Sequence, residues 1–156
     1  MNATETTDYY YMQLAFREAL KAQAVGDVPV GAVAVLDGKV IARAHNLKER
    51  RQSPCAHAEL LVVEKAAKKL GSWRLLGVTL YSTLEPCPMC AGVMLQSRIK
   101  RLVYGAPDLR WGAVETFYTL FEDERWNHKI EVVAGVMRKE VEDVLRGFFK
   151  KIRVEK

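Results

Sequence analysis

"GVTLYSTLEPCPMCAGVMLQS", residues 77–97, sets two cysteines between an apolar strand-like run and an apolar helix-like run. Gly77–Leu84, with its threonines, tyrosine, valine and leucines, predicts a strand. Pro88 suits the first turn of a helix, where a missing N–H is harmless, and that helix is expected to reach about Ser97. Cys87 and Cys90 then stand at a helix N-terminus, whose positive dipole end favours thiolate over thiol. A Cys-x-x-Cys pair so placed can be a redox couple, half of a structural metal site, or part of a catalytic one.

The choice depends on "PCAHAE", thirty residues upstream of Cys87, which contains His57, Ala58 and Glu59. One imidazole and two thiolates are good zinc ligands, and three protein ligands leave a fourth tetrahedral position for water. Residues two apart on a helix are about 200° apart, so His57 and Glu59 can converge only if the motif opens the helix. Pro54 before it and the apolar run after it place it there, in a helix of about His57 to Leu70 stopped by Gly71. A structural site has no use for a carboxylate beside a ligand. A hydrolytic site does, because zinc acidifies a water and a nearby glutamate can take that proton and pass it to the leaving group. The pattern H-x-E…P-C-x-x-C is that of zinc deaminases. The competing structural reading adds Cys55 as a fourth ligand. Two ligands that close together at one helix start would strain, and Cys55 is expected instead to pack as a small buried hydrophobe. His45 and His128 are poor candidates for further ligands, and His128 is expected to cap or pack beside the last strand.

Around this site the remaining elements alternate. Asp8 is a candidate N-cap for a helix to about Val25. Val28–Leu36 reads as a buried strand, with Pro29 at its beginning or on an unpaired edge. Asp37-Gly38 is a hairpin signal, and "KVIARAHN" returns as the partner strand. Residues 47–54 read as a charged loop, "IKRLVYG" as a fourth strand, and 105–129 as loop-rich with a short helix near Glu115–Phe121. "KIEVVAGV" reads as a fifth strand and a last helix starts near Arg138. The order αββαβαβαβα implies an α/β fold, a mixed five-stranded sheet with helices on both faces, in one domain over residues 1–156.

The 156 residues are 49% hydrophobic and 28% charged, which suits a domain with a sizeable core. No run approaches the roughly 20 apolar residues of a membrane span, and the polar N-terminus lacks secretory features, so the chain reads as soluble and cytoplasmic. Its formal charge is +5. The tail "RGFFKKIRVEK" gathers Lys150, Lys151 and Arg153 around Phe149, either as an amphipathic helix with its phenylalanines in the core or as a surface for a polyanion.

Over nearly its whole length the sequence resembles the bacterial tRNA-specific adenosine deaminases (TadA type) of the cytidine deaminase-like superfamily. The stretches that carry the resemblance are "VPVGAVAV", "AHN", "AHAE", "TLEPCPMCAG" with "SRIKRLVYGA", then "GAV", "NHKIEV" and "FFKK". The resemblance implies the three-layer cytidine deaminase-like fold and one zinc ion per subunit on His57, Cys87 and Cys90, with no organic cofactor. It implies Glu59 as proton shuttle, Asn46 as the residue that holds the base, and a pocket lined by Val30 and the backbone around Ala58. It further implies a homodimer that receives a tRNA anticodon stem-loop, contacted by the basic tail, and converts its wobble adenosine to inosine. Two stretches depart from the family. "SPCAHAE" has Ser53 and Cys55 where the family shows aspartate and threonine, and "DLRWGAVETFY" is bulkier than usual. In it, Trp111 can stack on a base or plug the loop onto the core, and Asp108 can cap the loop or meet the substrate sugar. Two other functions stay open at this point: a deaminase of a free base or nucleoside such as guanine or cytosine, and a non-catalytic zinc-stabilised RNA-binding module.

Overall fold

Asp37 and Gly38 both adopt positive φ, 50° and 73°, closing the two-residue turn expected between β1 (Gly31–Leu36) and β2 (Lys39–His45). This is a computed structural model, and it describes residues 1–155. The chain continues through α2 (Lys48–Arg51), α3 (Ala58–Leu70), β3 (Thr79–Leu84), α4 (Pro88–Ser97) and β4 (Arg101–Ala106). A 3-10 turn at Leu120–Glu122, β5 (Glu131–Ala134) and α5 (Arg138–Glu155) follow, and α1 (Ala3–Ala24) precedes the hairpin. The strand order is β2-β1-β3-β4-β5. β1 pairs antiparallel with β2 and β3, while β3–β4 and β4–β5 are parallel, so the mixed sheet is the one the element order implies.

Strand periodicity sorts the side chains into two layers. Val33, Val35, Tyr81 and Val103 pack with Tyr11, Met12, Leu14 and Ala15 of α1. Gly105, on the same side of β4, approaches Val141 of α5, so α1 and α5 share that face. Ala32, Ala34, Leu80, Leu102 and Tyr104 pack on the other face with α3 and α4 residues such as Val62, Ala66, Ala91 and Met94. Gly31 is forced by the first contact: a Cβ there would lie 2.0 Å from the Ala15 carbonyl oxygen, so only glycine lets α1 lie this close to β1. The β2–α3–β3 and β3–α4–β4 connections both start their long helices at one end of the sheet, where His57 and Cys87 sit.

Several expected boundaries move for identifiable reasons. Asn2, not Asp8, caps α1, through a capping box in which Asn2 accepts from the Glu5 N–H and Glu5 accepts from the Asn2 N–H. Asp8 is instead buried inside the layer, taking Arg101 Nη1 at 2.7 Å and Nη2 at 2.6 Å and the Tyr81 hydroxyl at 2.9 Å. The first strand starts at Gly31 rather than Val28, because Pro29 has no N–H to give a ladder and Val30 N–H turns back to the Val28 carbonyl. Part of the 47–54 loop is the short helix α2, capped by buried Asp27, which accepts the N–H groups of Glu49 and Arg50. No helix forms at Glu115–Phe121; the segment turns and ends in the 3-10 turn, for a reason given below. Of the two tail phenylalanines, Phe148 is buried and Phe149 is exposed. Among the described residues no helix is long and apolar enough to cross a membrane.

Candidate metal centre and pocket

Both candidate ligand groups are helix caps. His57 is the N-cap residue of α3 in extended conformation (φ −76°, ψ 145°), and Cys87 is that of α4 (φ −77°, ψ 174°), followed by Pro88. An N-cap residue leaves the helical path, so His57 no longer obeys the helical angle that would turn it away from Glu59. His57 Nδ1 lies 3.6 Å from Cys87 Sγ and 3.5 Å from Cys90 Sγ, and the two sulfurs are 3.7 Å apart. Donors at three corners of a tetrahedron, with bonds of about 2.3 Å to sulfur and about 2.0 Å to nitrogen, stand about 3.8 Å (S–S) and about 3.5 Å (S–N) apart. The three side chains therefore fit one metal ion without movement, and they form the group among the described residues that could hold one. Cys55 is not in that group. Contrary to the expected packing it is exposed, its N–H held by Ser53 Oγ in a turn that faces solvent.

The electrostatics of the centre favour a thiolate. Cys87 is pushed down to about 4, first by its hydrogen bond with Cys90 and then by His57. The same bond, followed by burial, raises Cys90, so between the two thiols alone the negative charge rests on Cys87. Glu59, in the first turn of α3 and 4% exposed, is pushed up to about 7, chiefly by burial.

These groups open into a cavity of about 510 Å³. His57, Ala58, Glu59 and Cys87 line it at the metal end. Val28, Val30, Asn46 and Lys48 contribute one part of the wall; Leu84, Glu85, Asp108 and Trp111 contribute another. The Asn46 amide has structural work: its Nδ2 donates to the Val28 carbonyl at 3.2 Å and its Oδ1 accepts the Lys48 N–H at 3.0 Å. A carboxamide has two N–H groups and two acceptor positions, so one of each remains for a ligand. Asp108 caps its loop, with Oδ1 accepting the N–H groups of Arg110 and Trp111, and lines the cavity as well. Trp111 does not plug the core; it is 65% exposed at the cavity. Phe149, Lys150, Lys151 and Arg153 are exposed on α5 and are not among the residues lining the cavity. His45 sits 3.2 Å from buried Glu18, and His128 Nε2 donates to the Ile99 carbonyl at 2.6 Å beside the start of β4, so neither joins the centre.

The residue that sequence reasoning passed over is Glu85. It is 1% exposed, at the end of β3. Its Oε2 accepts the N–H groups of Val114, Glu115 and Thr116 at 3.0, 2.8 and 3.1 Å. Its Oε1 accepts the Asp108 N–H at 3.1 Å and the Thr116 hydroxyl. Burial raises its pKa, but the bonds from Thr116, Glu115 and Asp108 outweigh that and hold the carboxyl below its usual range. Beyond Thr116 the Phe117 and Tyr118 N–H groups both turn back to the Gly112 carbonyl and the Leu120 N–H to that of Ala113, none of them the i−4 partner of an α-helix, so Glu115–Phe121 does not form one. The only mark in the sequence is an acid directly after a buried apolar strand and before Pro86; four of its five donors are backbone and leave none, and the Thr116 hydroxyl lies 31 positions away.

With this geometry in hand, the chain can be set beside known proteins. The sequence model of the MafB19-like deaminase family matches residues 6–153. The tRNA-specific adenosine deaminase of Bacillus subtilis is 51% identical over 151 residues, covering 97% of this chain and 94% of its own. That of Haemophilus influenzae is 46% identical over 150 residues, covering 96% and 87%. A solved structure from studies of A-to-I editing by tRNA deaminases at the wobble position of transfer RNA superposes with a TM-score of 0.84 at 43% identity, covering 87% of this chain and 99% of that one.

Proposed function

Because the chain belongs to the MafB19-like deaminase family, beside the tRNA-specific adenosine deaminases, we propose that it converts adenosine to inosine at the wobble position of a tRNA anticodon loop. The reaction is hydrolytic: adenosine and water give inosine and ammonia. The observation that carries this reading is the junction of a metal-spaced donor set, His57, Cys87 and Cys90, with a buried glutamate at the end of one cavity.

The donor set suits zinc, with soft thiolates, an imidazole and a fourth position left open, and zinc bound there would supply an activated water. The chain's own residues do the rest. Glu59, shielded from solvent and facing the cavity, takes one proton from the attacking water and delivers it to the ring nitrogen beside the reacting carbon; it then moves the second proton, from the newly attached hydroxyl, to the amino group, which leaves as ammonia. Asn46 uses its free N–H and acceptor position to hold the base edge, and its bonds to Val28 and Lys48 fix the orientation of the amide. Val30 and the backbone at Ala58 pack against the ring. Trp111, exposed at the rim, offers a stacking surface for a base next to the one inserted. An anticodon loop presents its bases already unstacked, so no duplex has to be opened.

Phe149, Lys150, Lys151 and Arg153 would bind the RNA backbone outside the cavity, in a homodimer that receives one stem-loop across both copies. The test is incubation of zinc-loaded protein with a tRNA carrying a wobble adenosine. Inosine and ammonia appearing in equal amounts support the reading, and unmodified tRNA after exhaustive incubation overturns it.

A further inference from the structure

The wall segment 107–119 has no regular secondary structure, yet it carries two cavity residues, Asp108 and Trp111. Ala113 and Val114 anchor it in the core, the Ala113 N–H goes to the Pro86 carbonyl and the Tyr104 hydroxyl donates to Glu115, but most of its hydrogen bonds to the rest of the fold go to one side chain. Glu85 accepts five hydrogen bonds from it, spread from Asp108 to Thr116. A carboxylate has about four acceptor positions, so these five leave nothing for a ligand. From Asp108 the constraint passes onward: the Asp108 Oδ1 accepts the Trp111 N–H at 3.1 Å, and the Asp108 carbonyl accepts the Gly112 N–H at 3.0 Å. Gly112 is the point of closest approach. A Cβ there would lie 2.5 Å from Glu85 Oε1 and 2.6 Å from the Asp108 carbonyl oxygen, so any other residue would push the segment off the carboxylate.

We infer that Glu85 is a positioning residue for substrate: its carboxylate fixes Asp108 and Trp111 as a rigid cavity wall and so sets affinity for the RNA, without touching the reacting atoms. This rests on the RNA reading above. The rim is then built in advance of binding, and the RNA does not have to order it, which lowers the cost of association. Glu85 lies two residues before Cys87, but the wall hangs from its side chain, whereas the donor set is held by the caps of α3 and α4. The two functions can therefore be separated by mutation.

The test uses the full zinc-loaded chain with Glu85→Gln, Gly112→Ala and Thr116→Val. A glutamine keeps the shape but places an amide N–H group where one set of donors points, and the alanine displaces the wall while leaving the carboxylate intact. For Glu85→Gln and Gly112→Ala the KM for an anticodon stem-loop should rise about tenfold with kcat falling less than about threefold, the signature of lost positioning for binding. The double variant should be no worse than the stronger single one, because both remove the same constraint. Thr116→Val, at an exposed position and losing one bond, should fold normally and raise KM about twofold. Zinc per chain should stay at the wild-type value throughout. In a Trp73→Phe/Trp126→Phe background, Trp111 emission should become more accessible to iodide, and the amides of 114–116 should exchange faster. KM within twofold of wild type for both Glu85→Gln and Gly112→Ala overturns the inference, and so does loss of zinc in step with kcat. Emission and exchange are read without substrate. Failure of the RNA reading therefore shows as an inert wild type, and failure of this inference as unchanged quenching and exchange.

Discussion

His57 Nδ1 lies 3.5 Å from Cys90 Sγ, although 33 positions separate the two residues. The contact exists because α3 and α4 both begin at the same end of the sheet, one capped by His57 and the other by Cys87. Cys90→Ser replaces a soft ligand by a poor one, and bound zinc should fall from one per chain to near zero by metal analysis. A chelator should reproduce that loss in the wild type. Because metal binding is coupled to folding, the melting temperature should fall with it.

Glu59 is separable from the metal. Glu59→Gln preserves volume and leaves all three donors in place, so zinc content should stay at the wild-type value. Turnover should drop by about 10²–10⁴-fold, the range that general acid–base catalysis supplies. A Glu59→Gln variant with more than a tenth of wild-type kcat would remove Glu59 from the mechanism.

Asp8 and Arg101 form a two-pronged pair between α1 and β4, with the Tyr81 hydroxyl donating to the same carboxylate. Asp8→Ala leaves the Arg101 charge with only the more distant Glu131 carboxylate, 3.5 Å away, and the Tyr81 hydroxyl without an acceptor. Denaturant unfolding should show a loss of about 3–5 kcal/mol. None of the three residues lines the main cavity, so kcat/KM measured below the new melting temperature should be unchanged.

The parts of this molecule legible in its sequence are those whose partners lie nearby along the chain. The Asp37-Gly38 turn, the α4 start at Pro88 and the α3 stop at Gly71 are local, and each appears where the residues imply. The His57, Cys87 and Cys90 cluster was also legible, because few chemistries other than metal binding use that spacing. Asp8 misled because an aspartate before an apolar helix run looks like a cap, and nothing local reveals an arginine 93 positions away. Glu85 was illegible for the same reason: four of its five donors are backbone N–H groups, which every sequence has, and the fifth, the Thr116 hydroxyl, lies 31 positions away. Cys55 misled in the opposite sense, since a cysteine's preference for burial lost to the turn that precedes His57.

The basic residues of α5 predict a salt signature. For single-stranded RNA the log–log slope of affinity against salt changes by about 0.7 for each phosphate contact. Lys150→Gln with Lys151→Gln should therefore flatten the slope by as much as about 1.4 if both residues meet phosphates. Free-base turnover has no such slope. A wild-type protein whose binding ignores salt between low and physiological concentration would take α5 out of the RNA surface.

On the proposed reading, the base delivered to Glu59 is an adenosine within RNA. The direct measurement compares kcat/KM for an anticodon stem-loop carrying a wobble adenosine with kcat/KM for free guanine, cytosine and adenosine, using one zinc-loaded preparation and nucleoside mass spectrometry. Inosine is expected at the wobble position alone, with free bases and nucleosides at least about 10³-fold poorer, since they forgo the binding contributed by the rest of the RNA. Rapid ammonia release from a free base, with the stem-loop adenosine left intact, would contradict it.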